Sequence, residues 1–578
     1  MVSGSGKRTG IGIDIGTTTI SILVLKADSG EVLESRTIQN DTWVRGDMPW
    51  EKMQDADRIF ERVQKQVSEL VSVYAPVAGI GISCQMHGIL YTDENGRAVS
   101  PFFTWQDERG GQQIPGKVET YAEALTRRLG RRVSAGYGLA SHFYNLENGL
   151  VPAEARRMAT IGDYVGQRLC GGKAESWPMP GRVPEAGCGE ISGENAAFGP
   201  TSGRSEETGC GEISGMNAAF GPTPGRPAKT GCGRISAGNA ASWGGYDFGK
   251  KAFDAENLCA CGIDVSFLPE IAGDGEIIGY FQETIPVAVA IGDNQASFLG
   301  SVPDGDGTVL VNVGTGAQVS VGIACEAENA ERLAKGGAEL RPCLKNLDLC
   351  VGSSLCGGRA YALLEQFFRE VCKMACPGRA DEAMNGKTVR PGRTNEAMNG
   401  QMVCSGQVDE TMNRKMACPG RADEALYENM AKAVEGIDPA QAPVIDPAFA
   451  GSRSDPFKRA SIRGLTTENF TPGYIVYGML EGIAEELYTL YEGMKTGAPN
   501  PKRLIGSGNG IRKNPILRRI LEEKFQMPLW IPAHKEEAAY GAALYGLYAA
   551  GVFTDIRTGQ SRIKFIRAEK KKQEEIRC

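Results

Sequence analysis

The sequence predicts an α/β protein built from two domains. Segments with the alternating apolar pattern of strands occur between segments with the apolar spacing of amphipathic helices. Two units of strand, Gly/Thr turn and strand occur, at 11–25 and at 308–323. The chain has 578 residues, which is too long for one ordinary hydrophobic core. We therefore expect two halves, each of which begins with one of these strand–turn–strand units.

The remaining elements follow the same patterns. The predicted strands are 11–15, 20–25, 79–83, 287–291, 308–313, 318–323 and 503–505. The predicted helices are 55–73, 119–130, 359–372, 475–494, 515–525 and 536–550. This mixture of strands and helices along one chain indicates the α/β class.

The first unit, IGIDIGTTTISILVL, has a polar turn between two apolar strands. Gly16 and the threonines at 17–19 fill the bend, and Asp14 stands beside it. Backbone N–H groups in such a turn, together with threonine hydroxyls, form an array of donors suited to phosphate oxygens. Asp14 could hold a hydrated cation there. The alternative is an ordinary hairpin turn without a ligand.

Two further glycine-rich elements could also contact a ligand. The second unit has Gly-Thr-Gly at 314–316 in its turn, and two such turns facing each other across a cleft would bind one polyphosphate from both sides. A third element runs from strand 503–505 through GSGN at 506–509 into a helix opened by Asn514 and Pro515. Its glycines would let a base or a ribose approach the backbone closely.

The helix predicted at 536–550 is rich in small residues, which are concentrated at 538–543. Small side chains allow close packing, either against a neighbouring element or against a nucleotide. The sequence alone leaves both alternatives open.

A carboxylate suited to proton transfer follows an apolar strand in the middle of the chain. In VAVAIGDNQASFLG, Asp293 comes directly after that strand and before a helical segment. A carboxylate at this place could accept a proton from a hydroxyl group and lie near a transferring phosphate. The alternative role of Asp293 is to cap the helix that follows.

Two polar segments could bind a polyhydroxylated substrate. GISCQMHGIL ends a strand in Gln85, Met86 and His87, and PFFTWQDERG contributes Trp105 and Asp107. Amide, imidazole, carboxylate and aromatic groups together are what recognition of a sugar requires. The alternatives are that His87 is a hydrogen-bonded core histidine and that Trp105 is a core aromatic residue.

The composition indicates a globular protein that acts on a small molecule. Hydrophobic residues make up 41% of the chain, and the formal net charge is -7, with both signs interspersed. This balance argues against a surface for nucleic acid. No apolar run approaches the roughly 20 residues of a membrane span, and the first residues lack the hydrophobic core of a signal peptide. We therefore expect a cytoplasmic monomer or homodimer without membrane or nucleic-acid partners.

A metal site built from cysteine and histidine is not indicated. The chain has 16 cysteines but only three histidines, and six of the cysteines lie in duplicated segments. Cys259 and Cys261 form a C-x-C pair that has no matching second pair. We expect free cytosolic thiols rather than a zinc or iron–sulfur site.

Two tandem duplications interrupt the predicted domains. The first has a 22-residue period and inserts about 181–224, and the second has a 14-residue period and inserts about 376–417. Their units are rich in Gly, Pro, Asn and charge, and they lack the apolar face that each repeat of a solenoid buries. We expect surface insertions without a catalytic role, although loops beside a cleft could alter access to it.

Taken together, these motifs resemble those of the FGGY carbohydrate kinases. The similar elements occur in the order DIGTTT, CQMHG, TWQDER, NAASWG, GDNQAS, GTG and GSGN, and they cover nearly the whole chain outside the duplicated segments. The resemblance implies a two-domain actin/hexokinase-like (ribonuclease H-like) fold that binds nucleotide and sugar in the interdomain cleft. The implied domains are 8–292 on the sugar side and 293–553 on the nucleotide side, followed by a charged tail at 554–578.

The resemblance also implies a reaction, the transfer of the γ-phosphate of ATP to a ketose hydroxyl in the presence of Mg²⁺. Within the family, the motifs are most similar to those of sedoheptulokinases and next to those of xylulokinases. Sedoheptulose is therefore the expected substrate, with xylulose or a related pentulose as the alternative. The implied base is Asp293, and the implied metal ligands are Asp14 and Asp293. The implied sugar contacts are Gln85, Met86, His87, Trp105, Asp107 and Asn294. The implied nucleotide contacts are Asp14, Thr17, Thr18, Gly314, Thr315, Gly316, Gly506, Ser507, Gly508, Asn509 and Asn514.

Two other functions are compatible with a phosphate-binding hairpin. An ATPase-driven activator or switch of the same fold would use DIGTTT for motion, but it would need cluster cysteines or a separate peptide-binding domain. A catalytically silent sugar sensor would bind the sugar without phosphoryl transfer. Sugar-dependent release of ADP would distinguish a kinase from both.

Overall fold

The structure is a computed structural model that describes most of the chain. The described residues are 8–171, 233–303, 307–323, 338–375, 419–452, 455, 457–494 and 501–567. Both predicted insertions, about 181–224 and about 376–417, lie outside the described residues. Two large sheets, which we name the N-terminal sheet and the C-terminal sheet, organise the described part.

The N-terminal sheet has seven strands and is built around the first hairpin. Its strands are β1 (Thr9–Ile15), β2 (Thr19–Lys26), β3 (Val32–Gln39), β4 (Val77–Cys84), β5 (Ile277–Phe281), β6 (Ile285–Ala288) and β7 (Ile291–Gly292). β1, β2 and β3 form an antiparallel meander, and β4 runs parallel to β1 on its other side. The predicted hairpin is therefore confirmed, and its first strand lies in the middle of the sheet.

The C-terminal sheet also has seven strands. They are β8 (Thr308–Val313), β9 (Ala317–Ile323), β10 (Glu339–Leu344), β11 (Leu347–Ser354), β12 (Arg503–Ser507), β13 (Leu529–Pro532) and β14 (Phe565–Arg567). β8 and β9 form an antiparallel hairpin, and β12 runs parallel to β8. Because β1, β2 and β4 have the same relationship, the two sheets repeat one topology, as the two strand–turn–strand units predict.

Helices cover the sheets and connect them. They are α1 (Ala56–Tyr74), α2 (Tyr121–Leu129), α3 (Gly138–Glu147), α4 (Ile161–Leu169), α5 (Ala237–Ser242), α6 (Ala255–Ala260), α7 (Asp293–Ser301), α8 (Gly357–Ala375), α9 (Pro419–Ala433), α10 (Pro472–Glu492), α11 (Asn509–Lys513), α12 (Pro515–Phe525), α13 (Glu537–Ala549) and α14 (Ile556–Gln560). The six predicted helices are confirmed, whereas α3 and α4 were not predicted. Most residues of α3 and α4 are buried, so neither shows the broad polar face of an amphipathic helix.

Shorter elements complete the chain. The short strands are Trp43–Val44, Met53–Gln54, Leu90–Thr92, Phe102–Phe103, Arg157–Ala159, Arg234–Ile235, Tyr246–Asp247, Ala252–Phe253, Glu270–Ile271, Val444–Asp446 and Ser461–Arg463. Three short 3₁₀ helices are Arg109–Gly111, Val265–Phe267 and Pro439–Gln441. Across the described ranges, every helix is either too short or too polar to cross a membrane.

Helix α13 packs so closely on the N-terminal sheet that the strands have glycine at the points of contact. A Cβ atom on Gly12 of β1 would lie 1.8 Å from the carbonyl oxygen of Ala539. A Cβ atom on Gly81 of β4 would lie 1.8 Å from the carbonyl oxygen of Ala542. Since any larger residue would displace the helix, the small residues at 538–543 serve close packing.

The same helix contacts α7 at an equally short distance. A Cβ atom on Gly300 would lie 2.0 Å from the carbonyl oxygen of Glu537, and one on Gly541 would lie 1.8 Å from that of Ala296. Because α7 begins at Asp293, α13 fixes the position of this carboxylate relative to β1 and β4.

Residues 554–567 are folded, although the sequence predicts a charged tail at 554–578, of which 568–578 lie outside the described residues. α14 belongs to this segment, and β14 pairs antiparallel with β13. Ile556 and Ile563 are buried in the core around α13. These isolated apolar residues are too sparse to form a recognisable pattern, which is why 554–567 was wrongly predicted as a tail.

The contact between α13 and β1 can be tested with one methyl group. We expect Gly12→Ala to lower the free energy of unfolding by about 1–3 kcal/mol, because the added Cβ must displace the Ala539 carbonyl group. Gly273→Ala is the matched control, since its Cβ would meet only Glu276 Oε2, at 3.7 Å. Chemical denaturation measures both variants, and equal stability would contradict the close packing of α13.

Candidate active site

The turn of the first hairpin is closed by its own backbone. The Gly16 N–H donates to the carbonyl oxygen of Thr19 at 3.0 Å. Thr18 is exposed at the tip, and Thr17 is partly exposed. Thr17 Oγ1 donates to Gln85 Oε1 at 3.0 Å, which joins the turn to the segment predicted to bind sugar. The turn therefore presents backbone and hydroxyl groups of the kind that bind phosphate.

The turn of the second hairpin is held by the start of α8. The Gly314 N–H donates to the carbonyl oxygen of Gly316 at 3.0 Å, and the Gly358 N–H donates to the carbonyl oxygen of Gly314 at 2.9 Å. A Cβ atom on Gly358 would lie 2.1 Å from that same oxygen, so a larger residue would break the contact. Thr315 is exposed at the tip of this turn.

The third glycine-rich loop lies against the second hairpin. Asn312 Nδ2 donates to Ser507 Oγ at 2.9 Å. Gly508 has a positive φ of 81°, and its Cβ would lie 2.6 Å from the carbonyl oxygen of Val313. Glycine is required there both by the backbone conformation and by the close approach. Asn509 follows on the surface as the first residue of α11.

Two other residues predicted to contact the nucleotide have partners within the protein. Gly506 is buried in β12. Asn514 is the N-cap of α12, and its Oδ1 accepts from the N–H groups of Ile516 and Leu517 at 3.1 Å and 3.0 Å. The predicted start of this helix is therefore confirmed, and capping accounts for the presence of Asn514.

Asp14 and Asp293 lie close enough for their charges to interact. Asp14 Oδ1 accepts from Ser83 Oγ at 2.7 Å. Burial raises the pKa of Asp14 to about 7 against the effect of this hydrogen bond, and the negative charges of Asp293 and Glu536 act in the same direction as burial. Such a cluster of carboxylates favours a proton or a cation in its vicinity.

Asp293 is the first residue of α7 and not its cap. The N-cap is Gly292, and Asp293 Oδ1 accepts from the N–H of Asn294 at 2.7 Å. Burial raises the pKa of Asp293, and the positive charge of Arg341 opposes that increase. The alternative that Asp293 only caps the helix is therefore wrong.

His87 is held in an unusual conformation beside an aromatic ring. Its φ is 74°, a conformation that is uncommon for residues other than glycine. Its N–H donates to Ser242 Oγ at 3.1 Å, and its Nδ1 lies 2.8 Å from the carbonyl oxygen of Ser242. Its ring stacks on Tyr137 with centroids 4.6 Å apart. His87 is partly exposed, so it is not a core histidine.

Trp105 lies at the surface beside the first turn. Its side chain is 47% exposed, so it is not a core aromatic residue. Its Nε1 donates to Thr17 Oγ1 at 3.0 Å. An exposed indole held in place by one hydrogen bond offers an apolar face on which a sugar ring could pack.

Asp107 is fully buried, and its carboxylate is hydrogen-bonded within the protein. Its Oδ2 accepts from the N–H of Lys52 at 2.9 Å, and its Oδ1 accepts from Arg109 Nε at 2.7 Å. Arg109 also donates to Asn145 Oδ1 at 2.6 Å. Both carboxylate oxygens therefore have partners within the protein, and a contact of Asp107 with the sugar stays a prediction.

Asn294 joins α7 to the second hairpin. Its Nδ2 donates to Gln318 Oε1 at 3.1 Å, and Gln318 follows the second turn by two residues. Asp14 precedes the first turn by two residues and interacts with Asp293. These contacts bring both turns and both carboxylates to one region of the molecule.

Three residues that the sequence analysis did not propose also lie in this region. Arg341 acts on Asp293, and Glu536 Oε2 accepts from Ser21 Oγ at 2.9 Å. Tyr137 stacks on His87. Only Arg341 has a signal in the sequence, because a charged residue within the strand pattern of ELRPCL is unexpected. Glu536 and Tyr137 reach the site through the tertiary fold.

A buried polar cluster supports the strand that leads to Asp293. Asn239 Nδ2, from the NAASWG segment, donates to the carbonyl oxygen of Ala290 at 3.2 Å. Thr160 Oγ1 donates to Asp163 Oδ2 at 2.6 Å. Cys84 Sγ lies 3.9 Å from Thr160 Oγ1 and is itself buried. The cluster connects the end of β4 to the backbone just before α7.

Two protein-family models match the chain. The model described as FGGY family of carbohydrate kinases, N-terminal domain, matches residues 9–174. The model of the C-terminal domain of the same family matches residues 379–550. Together these matches cover more than half of the chain.

Two curated relatives match over most of their length, and a third matches over a shorter segment. Sedoheptulokinase of Mus musculus is 23% identical over 568 residues, which is 92% of this chain and 96% of the relative. Sedoheptulokinase of Homo sapiens is 24% identical, with the same coverage. A xylulose kinase of Staphylococcus epidermidis is 31% identical over 123 residues, which is 21% of this chain and 24% of the relative.

Solved structures share the fold. A xyloylose kinase from Brucella ovis superimposes with a TM-score of 0.67 and 17% identity, covering 97% of this chain and 94% of that chain. Glycerol kinase from Plasmodium falciparum, solved with ADP, has a TM-score of 0.65 and 14% identity, covering 96% and 93%. The predicted two-domain fold is therefore confirmed.

Asp163 makes stability depend on pH. Burial raises the pKa of Asp163 from 3.8 to about 7, so its stabilising contribution is present below pH 3.8 and is lost as pH rises through 7. Asp163→Asn removes this dependence. We therefore expect the stability of Asp163→Asn relative to the parent protein to rise by about 1–3 kcal/mol between about pH 5 and about pH 8.

Denaturation midpoints at several pH values measure this change. Asn95→Ala, at an exposed position and without a titratable side chain, is the control and should show a constant difference from the parent protein. A constant difference for Asp163→Asn as well would contradict the assignment.

Proposed function

Because the chain belongs to the FGGY family of carbohydrate kinases, we propose that it transfers the γ-phosphate of ATP to a hydroxyl of a ketose, with sedoheptulose as the first candidate. The observation that carries this proposal is the pairing of Asp14 and Asp293 beside two Gly/Thr turns. The sedoheptulokinases match nearly the whole chain, which favours sedoheptulose. Family membership also favours a kinase over an ATPase switch or a silent sensor.

Asp293 is the proposed base. Its carboxylate lies at the start of α7, where the N–H groups of the first helical turn favour negatively charged groups. In the reaction it accepts the proton of the acceptor hydroxyl as the oxygen attacks the γ-phosphorus atom. The bond from phosphorus to the bridging oxygen of ADP breaks, and ADP leaves with that electron pair.

The two turns are the proposed phosphate-binding elements. Thr17, Thr18 and Thr315 supply hydroxyl groups, and the glycines supply unhindered backbone N–H groups. The loop at 506–509 is the proposed site for the adenosine part of ATP. These contacts position the nucleotide and stabilise the charge that develops on its phosphates.

Asp14 and Asp293 are the proposed ligands of Mg²⁺. Protein sites for Mg²⁺ commonly use one or two carboxylates and complete the coordination with water and phosphate oxygens. The pair of Asp14 and Asp293 fits this requirement. When bound, the ion would neutralise part of the charge on the phosphates.

We propose that the domains 8–292 and 293–553 close around the substrates. Closure would exclude water, which can also accept the phosphoryl group.

Xylulose or a related pentulose is the alternative acceptor, supported by the partial match to xylulose kinases.

The role of Asp293 is tested by Asp293→Asn. We expect turnover to fall at least about 100-fold, because the hydroxyl loses its proton acceptor, while the dissociation constant for ADP measured without Mg²⁺ changes little. Asp264→Asn, at an exposed helix cap, is the matched control and should retain full turnover. Coupled assays of ADP release and calorimetric titration with ADP measure the two quantities. Near-normal turnover in Asp293→Asn would exclude it as the base.

The acceptor is tested with a panel of ketoses. Sedoheptulose, xylulose, ribulose and fructose are compared by kcat/KM for ADP release. We expect the highest value with sedoheptulose. A higher value with xylulose or ribulose would instead support the pentulose alternative.

A further inference from the structure

Arg341 is a buried arginine that reaches the candidate site from the C-terminal sheet. It lies on β10, and its side chain is only 7% exposed. A guanidinium group is rarely buried unless other groups compensate its charge. The groups that surround Arg341 therefore indicate what it does.

Those groups come from both sheets. Arg341 Nη2 donates to Glu339 Oε2 at 2.7 Å, and Glu339 lies on the same strand. Arg341 Nη1 lies 4.0 Å from Met86 Sδ, at the end of β4, and its charge acts on Asp293. The guanidinium group thus lies beside the segment predicted to bind sugar, and its charge reaches the proposed base.

The aromatic ring of Tyr137 lies next to the ion pair of Arg341 and Glu339. The Tyr137 hydroxyl donates to Glu339 Oε1 at 3.4 Å, and Tyr137 stacks on His87. The C-terminal sheet therefore contributes a guanidinium and a carboxylate to a surface that otherwise belongs to the N-terminal half. A sugar resting against His87 and Met86 would meet both charged groups.

Other donors near Asp293 are already engaged. Gln85 Nε2 donates to Gln54 Oε1 at 3.0 Å, and Asn294 Nδ2 donates to Gln318 Oε1 at 3.1 Å. Arg341 has five N–H donors in a planar arrangement, so one ion pair with Glu339 does not use all of them. Arg341 therefore keeps N–H donors beyond those that its ion pair with Glu339 uses.

We propose that Arg341 binds the acceptor sugar directly, donating to a sugar oxygen next to the hydroxyl that is phosphorylated. This inference rests on the proposed sugar-kinase function. Because Arg341 comes from the C-terminal sheet, the sugar is held by both halves of the molecule. Sugar binding and approach of the two halves are therefore coupled, and the contact selects for acceptors with an oxygen at that position.

Arg341→Lys and Arg341→Met test the contact. Lysine keeps the charge but lacks the planar set of donors, and methionine keeps the length without charge. We expect the KM for the sugar to rise about 10- to 100-fold in both variants, because the hydrogen bond that the planar guanidinium group makes to the substrate is lost. The KM for ATP and the slow hydrolysis of ATP without sugar should change less than about threefold. Arg463→Met, at an exposed position on a short strand, is the matched control.

Each outcome decides between distinct explanations. An unchanged KM for the sugar in Arg341→Lys would overturn the proposal. A parallel loss of sugar-independent ATP hydrolysis would also overturn it, since Arg341 would then act on the phosphates. If Arg341→Met does not fold, Arg341→Lys and calorimetric titration with the sugar give the answer. Absence of sugar-dependent ADP release in the parent protein would instead refute the kinase function itself.

Discussion

The site depends on the contact of one helix, α13, with three other elements. Because glycines on β1, β4 and α7 have no Cβ atom, the backbone of α13 can occupy the space that a larger residue would need. This contact connects the end of the chain to its beginning and to its middle. Asp14 at the end of β1, Glu536 before α13 and Asp293 at the start of α7 are brought together as a direct result. Without such close packing, three acidic groups would separate to reduce their repulsion.

The electrostatic character of the site follows from that geometry. Burial and mutual repulsion raise the pKa of Asp14, and the positive charge of Arg341 limits the corresponding increase at Asp293. Burial therefore raises the pKa of both carboxylates, while Arg341 opposes the increase at Asp293. Perturbed carboxylates of this kind are typical of functional sites. The enclosed pair of Asp107 and Arg109 stabilises the neighbouring backbone instead.

The sequence predicted the repeated hairpins, because apolar alternation and turn glycines are local properties that do not depend on distant residues. It also predicted the cap at Asn514, for the same reason. It did not predict α3 or α4, whose burial removes the polar face, or the folding of 554–567, whose few apolar residues need the core around α13. Among the site residues, Asp107 has the right chemical type, but its ion pair with Arg109 depends on how two segments pack.

The sequence by itself determined the α/β class, the two hairpins with their polar turns and the chemical types of residue that could bind phosphate and sugar. These features depend on residues that lie within a few positions of one another along the chain. Only the tertiary structure decided which of those residues share one region, that Asp293 is not a helix cap, and that Arg341 and Glu536 join it. The physical reason is that burial and charge interaction are set by distance in space, and these residues are separated by tens to hundreds of positions along the chain.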